Sequence, residues 1–158
     1  MSNLKNKKMR FKISRMKIHT ILPTHELRPI ITDSNRDFIL YSLYERLTNL
    51  QCHPFRIEIQ PDHVHIIHEL NPKLSLCDVI HNIKGGTSHF VNQQKTCTTP
   101  FAWHPGLISF AFGNIEVFNK YDFSLNNQLK YHSTHGLDDE IMEIKKLFPE
   151  MLPIQITL

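Results

Sequence analysis

The segment EIQPDHVHIIHEL, residues 58–70, places three histidines in one short apolar stretch. Imidazole nitrogens bind divalent metal ions and exchange protons near neutral pH. Side chains alternate along a strand, so His63 and His65, the histidine pair, are expected on one face with Cα atoms about 6.6 Å apart. That spacing lets both imidazoles converge on one metal ion. His68 is expected on the opposite face, and Asp62 is expected to shape the preceding turn and to point away from the metal face.

Strand and helix patterns surround this segment in an order that predicts the fold. Strands are expected over MKIHTILP, FRIEIQ, HVHIIHEL and PFAWHPGLISFAF, the last interrupted by Pro105 and Gly106. Helices are expected over DSNRDFILYSLYERLTNLQC, NPKLSLCDVIHNIKGGTSHFVNQQ and IEVFNKYDFSLNNQLKYH, with a short amphipathic segment after them. This order predicts an α+β fold, a ferredoxin-like antiparallel sheet with helices packed on one face.

Residue types at the helix ends and inside one helix add local predictions. Asp33 or Ser34 is expected to cap the first long helix, and Ser75 the second, because their side-chain oxygens accept hydrogen bonds from free backbone N–H groups. Gly85 and Gly86 are expected to weaken or bend the second helix, since glycine is a poor helix former.

The composition favours one domain over residues 1–158. The chain is 41% hydrophobic and carries a formal charge of +3, enough apolar residues for a single core. Residues 1–17 are rich in Lys and Arg and contain no acid, so residues 1–15 are expected to form a basic N-terminal tract. Such a tract fits a polyanion such as nucleic acid, and equally a solvated terminus.

Cysteine use and hydropathy indicate a cytoplasmic protein. Cys52, Cys77 and Cys97 are odd in number and form no Cys-x-x-Cys pair, so neither a disulfide framework nor a structural zinc site is expected. No apolar run is long enough for a membrane span, and no apolar segment follows the basic start.

Two adjacent motifs, QPDHVHIIHEL and PKLSLCDVIHNIKGGTSHF, resemble the single-tyrosine HUH transposases of the smallest bacterial insertion sequences and their REP-associated relatives. In that family a Pro-Asp-His-x-His strand is followed by a Ser-led helix with a Lys-Gly segment. The stretches IHTILPTHELRPIIT, FAWHPGLISFAF and LNNQLKYH look like further parts of the same family. The resemblance implies the HUH endonuclease type of fold.

The resemblance implies a metal site and a reaction. Gln128 would join the histidine pair as an amide ligand, and the divalent ion would be Mg²⁺ or Mn²⁺ with positions open for a phosphate oxygen. In the family a tyrosine attacks the phosphodiester, forming a 5′-phosphotyrosine and freeing a 3′-OH. The substrate would be single-stranded DNA folded as a hairpin, bound by a homodimer in which each tyrosine helix completes the partner's metal site.

The sequence departs from the family at the nucleophile. Four residues before Gln128, where the family has tyrosine, the chain has Ser124. Tyr121 lies one turn further upstream on the same helix face, and Tyr131 lies three residues after Gln128. The nucleophile is therefore predicted to be Tyr121, with Ser124 and Tyr131 as alternatives, or to have been lost.

Several other residues are candidates for contacts with DNA. Lys84, Gly85 and Ser88 could contact a DNA backbone through the ammonium group and closely approached amides, or could belong to a bent, solvated helix. Arg28 could contact phosphate or only form part of a turn. Trp103 could stack on a base, but a tryptophan in an apolar strand also fits the core.

Two other functions remain open on the sequence alone. Ser124 is compatible with a decayed or domesticated descendant that binds hairpin DNA without strand transfer. The histidine pair is compatible with a small metal-dependent phosphoesterase that uses activated water.

Overall fold

The computed structural model describes residues 15–112 and 127–147. Four strands are present in these ranges: β1 (Lys17–Pro23), β2 (Pro54–Ile59), β3 (His63–Glu69) and β4 (Ile108–Ala111). The helices are α1 (Asp33–Asn49), α2 (Leu76–Gln93), α3 (Gln128–His132) and α4 (Leu137–Leu147), with a short 3-10 turn at His25–Leu27. Among these helices, none is both long enough and apolar enough to cross a membrane.

The strands form one antiparallel sheet in the order β2-β3-β1-β4. In the central pair, Ile21 lies opposite His65 and His19 lies opposite Ile67. Residues directly opposite each other in an antiparallel pair point to the same face, so His19 shares the face of the histidine pair. The predicted α+β antiparallel sheet is confirmed.

The two long helices cover one face of the sheet, as predicted. Leu22, Val64 and Ile66 point to this face and lie in one buried cluster with apolar side chains of α1 and α2. Trp103 is buried in the same cluster. Of the two alternatives for this residue, the structure therefore agrees with a core position. Among the described residues, most of the buried apolar side chains therefore lie on the side away from the histidine pair.

The opposite face carries the histidine pair and is covered by α4. Leu137 and Ile144 of α4 pack against Ile21, Ile67 and Phe110 of the sheet. Leu137 and Ile144 are seven residues apart, which places them on the same side of the helix. This smaller apolar contact positions α4 over the site.

Backbone caps set where the long helices begin. Thr32 is the N-cap of α1, where the Asn35 side chain accepts a hydrogen bond from the Thr32 N–H at 2.9 Å, so the prediction of Asp33 or Ser34 is wrong by one or two residues. Both lie inside the helix because Thr32 has the extended backbone that an N-cap requires. Ser75 caps α2 as predicted.

The glycines of α2 do not end the helix, which runs from Leu76 to Gln93 without interruption. Gly86 lies directly beneath the guanidinium group of Arg46 on α1, in a place where any Cβ atom would overlap that group. Because the overlap is with the far end of a flexible side chain, a larger residue here would displace the Arg46 guanidinium from its position over α2. A Cβ on Gly85 would instead meet open space.

Candidate metal centre

The histidine pair lies at the start of β3 and is almost completely buried. His63 is 0% and His65 is 1% exposed, and their Nε2 atoms lie 2.9 Å apart. The predicted convergence of the two imidazoles is present. Two buried nitrogens with lone pairs need a proton or a cation between them.

Asp62 orients His63, contrary to the expectation that it points away. Its Oδ1 lies 2.6 Å from His63 Nδ1, and because an ionised carboxylate only accepts, Nδ1 is the donor. Nε2 is then left free as a ligand. Burial lowers the pKa of His63 more than the Asp62 contact raises it. The turn itself is fixed by Thr24, whose N–H donates to the Asp62 carbonyl at 2.8 Å. The Thr24 hydroxyl shares its one proton between that carbonyl, at 2.9 Å, and the Arg28 carbonyl, at 2.6 Å.

His19 of β1 contacts the other member of the pair. Its Nε2 lies 3.1 Å from His65 Nδ1, and both side chains are buried. Burial, with the neighbouring His65 and His68, holds the pKa of His19 well below its ordinary value. A neutral His19 can accept from His65 Nδ1–H, which leaves His65 Nε2 free to bind an ion. His68 lies on the other face, as predicted.

Two residues that the sequence did not predict complete a cluster around the pair. His132 of α3 and Glu140 of α4 bring one donor atom each, and all four donor atoms of the cluster lie within 4.8 Å of one another. Glu140 is 5% exposed. An acid in the apolar stripe that Leu137 and Ile144 define was the signal in the sequence, because that position faces the sheet.

Gln128, the predicted amide ligand, lies beside this cluster and contacts it through Glu140. Its Nε2 donates to Glu140 Oε1 at 3.1 Å, while its Oε1 is buried without a hydrogen-bond partner among the described residues. Gln128 therefore holds one oxygen of Glu140 and directs the other oxygen, Oε2, towards the histidines.

The carboxylate of Glu140 stays ionised in this environment. Burial acts to raise its pKa, but the imidazoles of His65 and His63 and the Gln128 amide outweigh burial and lower it. The cluster thus offers imidazole nitrogens and one carboxylate oxygen, a donor set suited to a divalent transition-metal ion.

The predicted DNA-contacting residues other than Trp103 are at least partly exposed. Lys84 donates to the carbonyl oxygens of His104 and Pro105, at 2.7 and 2.9 Å. The third N–H group of its ammonium is left to bind a ligand such as a phosphate. Gly85 is exposed and Ser88 half-buried. Arg28 is also exposed, 3.4 Å from the carboxylate of Glu26.

The predicted nucleophiles Tyr121 and Ser124 lie outside the described residues. The alternative, Tyr131, lies on α3, where burial and the carboxylates of Glu143, Glu140 and Asp139 raise its pKa to about 12. Acidic neighbours oppose the negative charge that a phenol oxygen acquires as a leaving group, so Tyr131 is poorly suited to reversible strand transfer.

Comparison with known proteins gives the family. The sequence profile described as "Transposase IS200 like" matches residues 12–121. The chain belongs to this family. No curated protein sequence matches the chain. The matched range includes the histidine pair and α2, whereas His132 and Glu140 lie beyond it.

Solved structures with the same fold include two transposase-related proteins. A candidate transposase from Deinococcus radiodurans R1 is 18% identical with a TM-score of 0.60, over 77% of this chain and 97% of its own. A REP-associated tyrosine transposase bound to a REP hairpin is 12% identical with a TM-score of 0.62, over 80% of this chain and 73% of its own. This IS200-like transposase domain therefore shares their fold.

Proposed function

We propose that this IS200-like transposase binds single-stranded DNA hairpins and cleaves and rejoins strands through a metal-assisted 5′-phosphotyrosine intermediate. The observation that carries the proposal is the buried histidine pair, in which Asp62 and His19 occupy both Nδ1 atoms and leave both Nε2 atoms facing one point. Family membership supplies the reaction class. The protein would act in the cytoplasm.

A divalent ion held by the histidine pair would act as a Lewis acid that polarises the scissile phosphodiester. Of the two predicted ions, Mn²⁺ suits imidazole donors better than Mg²⁺, which prefers oxygen ligands. Gln128 supports this site by holding Glu140 in place.

Tyr121 is the proposed nucleophile, with Ser124 as the alternative. A phenol is a better leaving group than a serine hydroxyl because its pKa is near 10, so a tyrosine can rejoin strands without an external energy source. The acidic surroundings of Tyr131 weigh against that residue.

The DNA-binding surface would run from Arg28 to Lys84 and the adjacent Gly85 and Ser88. Hydrogen bonds join these regions: His25 N–H donates to Ala102 and Lys84 donates to His104. The REP-associated relative is bound to a hairpin, which supports the same ligand here. The homodimer rests on the family resemblance alone. Within one chain, Gln128 of α3 already contacts Glu140, which lies beside His65, so a partner subunit is not needed to bring Gln128 to this site.

Binding measurements test the DNA ligand. We expect fluorescence anisotropy to show tighter binding of a hairpin with single-stranded flanks than of a linear duplex of equal length. Affinity should fall with salt, with a slope of about 0.7 per phosphate contact on single strands, because Lys and Arg release condensed counterions. Equal affinity for both DNAs in one buffer would contradict the proposal.

Calorimetry tests the histidine pair separately. Replacing His63 and His65 by alanine should abolish Mn²⁺ binding. The matched control replaces His81 and His89, two exposed histidines of α2, and should leave the binding unchanged. Retained Mn²⁺ binding in the first variant would mean that the metal lies elsewhere.

A further inference from the structure

His132 and Glu140, which lie beyond the family-matched range, cover the histidine pair on the side of the sheet that faces α4. Glu140 Oε2 lies 3.4 Å from His65 Nε2, 3.9 Å from His63 Nε2 and 3.4 Å from His132 Nε2. With the 2.9 Å between the two Nε2 atoms of the pair, four donor atoms surround one point. They come from three separate elements, β3, α3 and α4.

The spacing of these atoms fits a tetrahedral ion. Zinc binds imidazole nitrogen and carboxylate oxygen at about 2.0–2.2 Å, so neighbouring ligand atoms of a tetrahedron lie about 3.3 Å apart. Four of the six distances between the ligand atoms, at 2.9, 3.4, 3.4 and 3.9 Å, bracket that value, and all six lie within 4.8 Å. Mg²⁺ instead requires octahedral oxygen ligation and keeps several waters, which three imidazoles do not provide.

The donor atoms are held in place and have no other partner. Glu140 Oε2 and His132 Nε2 are both buried without a hydrogen-bond partner among the described residues. Gln128 fixes the other Glu140 oxygen. Buried polar atoms of this kind are costly unless a ligand satisfies them.

We propose that His132 and Glu140 complete, with the histidine pair, a closed four-ligand site for a zinc-class divalent ion. Metal sites that act on a substrate keep a coordination position open, whereas closed sites are structural. The closed state leaves no position for a phosphate oxygen, so α4 must withdraw Glu140 before DNA can reach the histidine pair. Only this last step rests on the proposed function.

The charge of α4 favours the same conclusion. Asp138, Asp139 and Glu140 form its first turn, and Glu140 places a carboxylate beside the histidine pair, where a DNA phosphate is proposed to bind. A carboxylate and a phosphate oxygen compete for one cation and repel each other. α4 therefore behaves as an internal competitor of DNA.

Cobalt spectroscopy on the full chain tests the site, because Co²⁺ replaces Zn²⁺ and absorbs visible light intensely only in tetrahedral coordination. We expect the intense band in the unchanged protein and its loss on adding excess Zn²⁺. Glu140→Ala or His132→Ala should reduce zinc affinity at least about 100-fold, which exceeds the usual loss for a residue that only hydrogen-bonds to a metal ligand. Glu140→Gln keeps the side-chain volume and should also weaken binding. Asp138→Asn on α4 and His81→Ala on α2 are matched exposed controls.

A weak octahedral spectrum, or zinc affinity unaffected by the Glu140 and His132 variants, would overturn the closed site while leaving metal binding by the histidine pair intact. A tetrahedral spectrum in a protein without hairpin affinity would refute the proposed function but not the site. In the DNA arm, Glu140→Gln should raise hairpin affinity above that of Asp138→Asn. Equal affinities would overturn the competition with DNA.

Discussion

The turn before β3 determines which nitrogen of His63 is available to a metal. Alternation along a strand predicts that Asp62 and His63 point to opposite faces, but Asp62 precedes β3, whose first residue is His63. Its short side chain therefore reaches back to Nδ1 of the next residue. A pattern that holds inside a strand does not extend to the turn before it.

We predict that Asp62→Ala lowers Mn²⁺ affinity about 10- to 100-fold, the usual cost of losing a partner that orients a metal-binding histidine. Thr24 holds the backbone carbonyl of Asp62, so the turn should persist. Asp62→Asn should lose less, because an amide oxygen still accepts from His63 Nδ1–H. Calorimetry of the two variants checks the order, and an alanine variant with unchanged affinity would show that Asp62 has no orienting role.

The sequence predicted the histidine pair but not the residues that close it. His63 and His65 are two positions apart on one strand, so a local rule places them together. His132 and Glu140 reach the site only because α3 and α4 fold back over the sheet, a long-range packing event that local spacing does not encode. Gln128 was expected from family resemblance, and its contact with Glu140 depends on the same packing.

At the level of elements, side chains of α2 hold the segment between α2 and β4 at two points, Phe101 and His104–Pro105. Lys84 binds two of its carbonyl oxygens, and Asn92 exchanges two hydrogen bonds with the backbone of Phe101, at 3.0 and 2.7 Å. The sequence predicted one strand here with a break, and the structure retains only Ile108–Ala111 and an isolated bridge between Thr24 and Trp103. Side-chain hydrogen bonds replace the missing strand pairing.

We predict that Lys84→Met lowers the free energy of unfolding by about 1 kcal/mol, since two charge-assisted hydrogen bonds are lost at a partly exposed site. Urea unfolding measures the change, with Lys73→Met, at an exposed lysine, as the control. If Lys84 also contacts DNA, the salt slope of hairpin binding should fall by about 0.7. Equal free energies of unfolding for Lys84→Met and Lys73→Met would show that Lys84 does not anchor this segment.

Across the whole molecule, the two faces of the sheet have different tasks. The face under α1 and α2 holds most of the apolar core that the described residues form. Its strand alternation and helix periodicity made the fold predictable from sequence. The other face buries polar groups that contribute little to stability unless they are satisfied. Such a face is expected at a functional site, where the residues present serve a chemical role and depart from the patterns of local propensity and packing.

The most direct test of the account is covalent capture of DNA. The protein is stripped of metal with a chelator, supplied with Mn²⁺, and incubated with a labelled hairpin oligonucleotide before denaturing gel electrophoresis. We predict a labelled protein–DNA adduct that is lost in Tyr121→Phe and in the His63→Ala, His65→Ala double variant, and retained in Tyr131→Phe. An adduct that survives Tyr121→Phe would reassign the nucleophile, and no adduct from the unchanged protein with hairpin binding intact would contradict strand transfer itself.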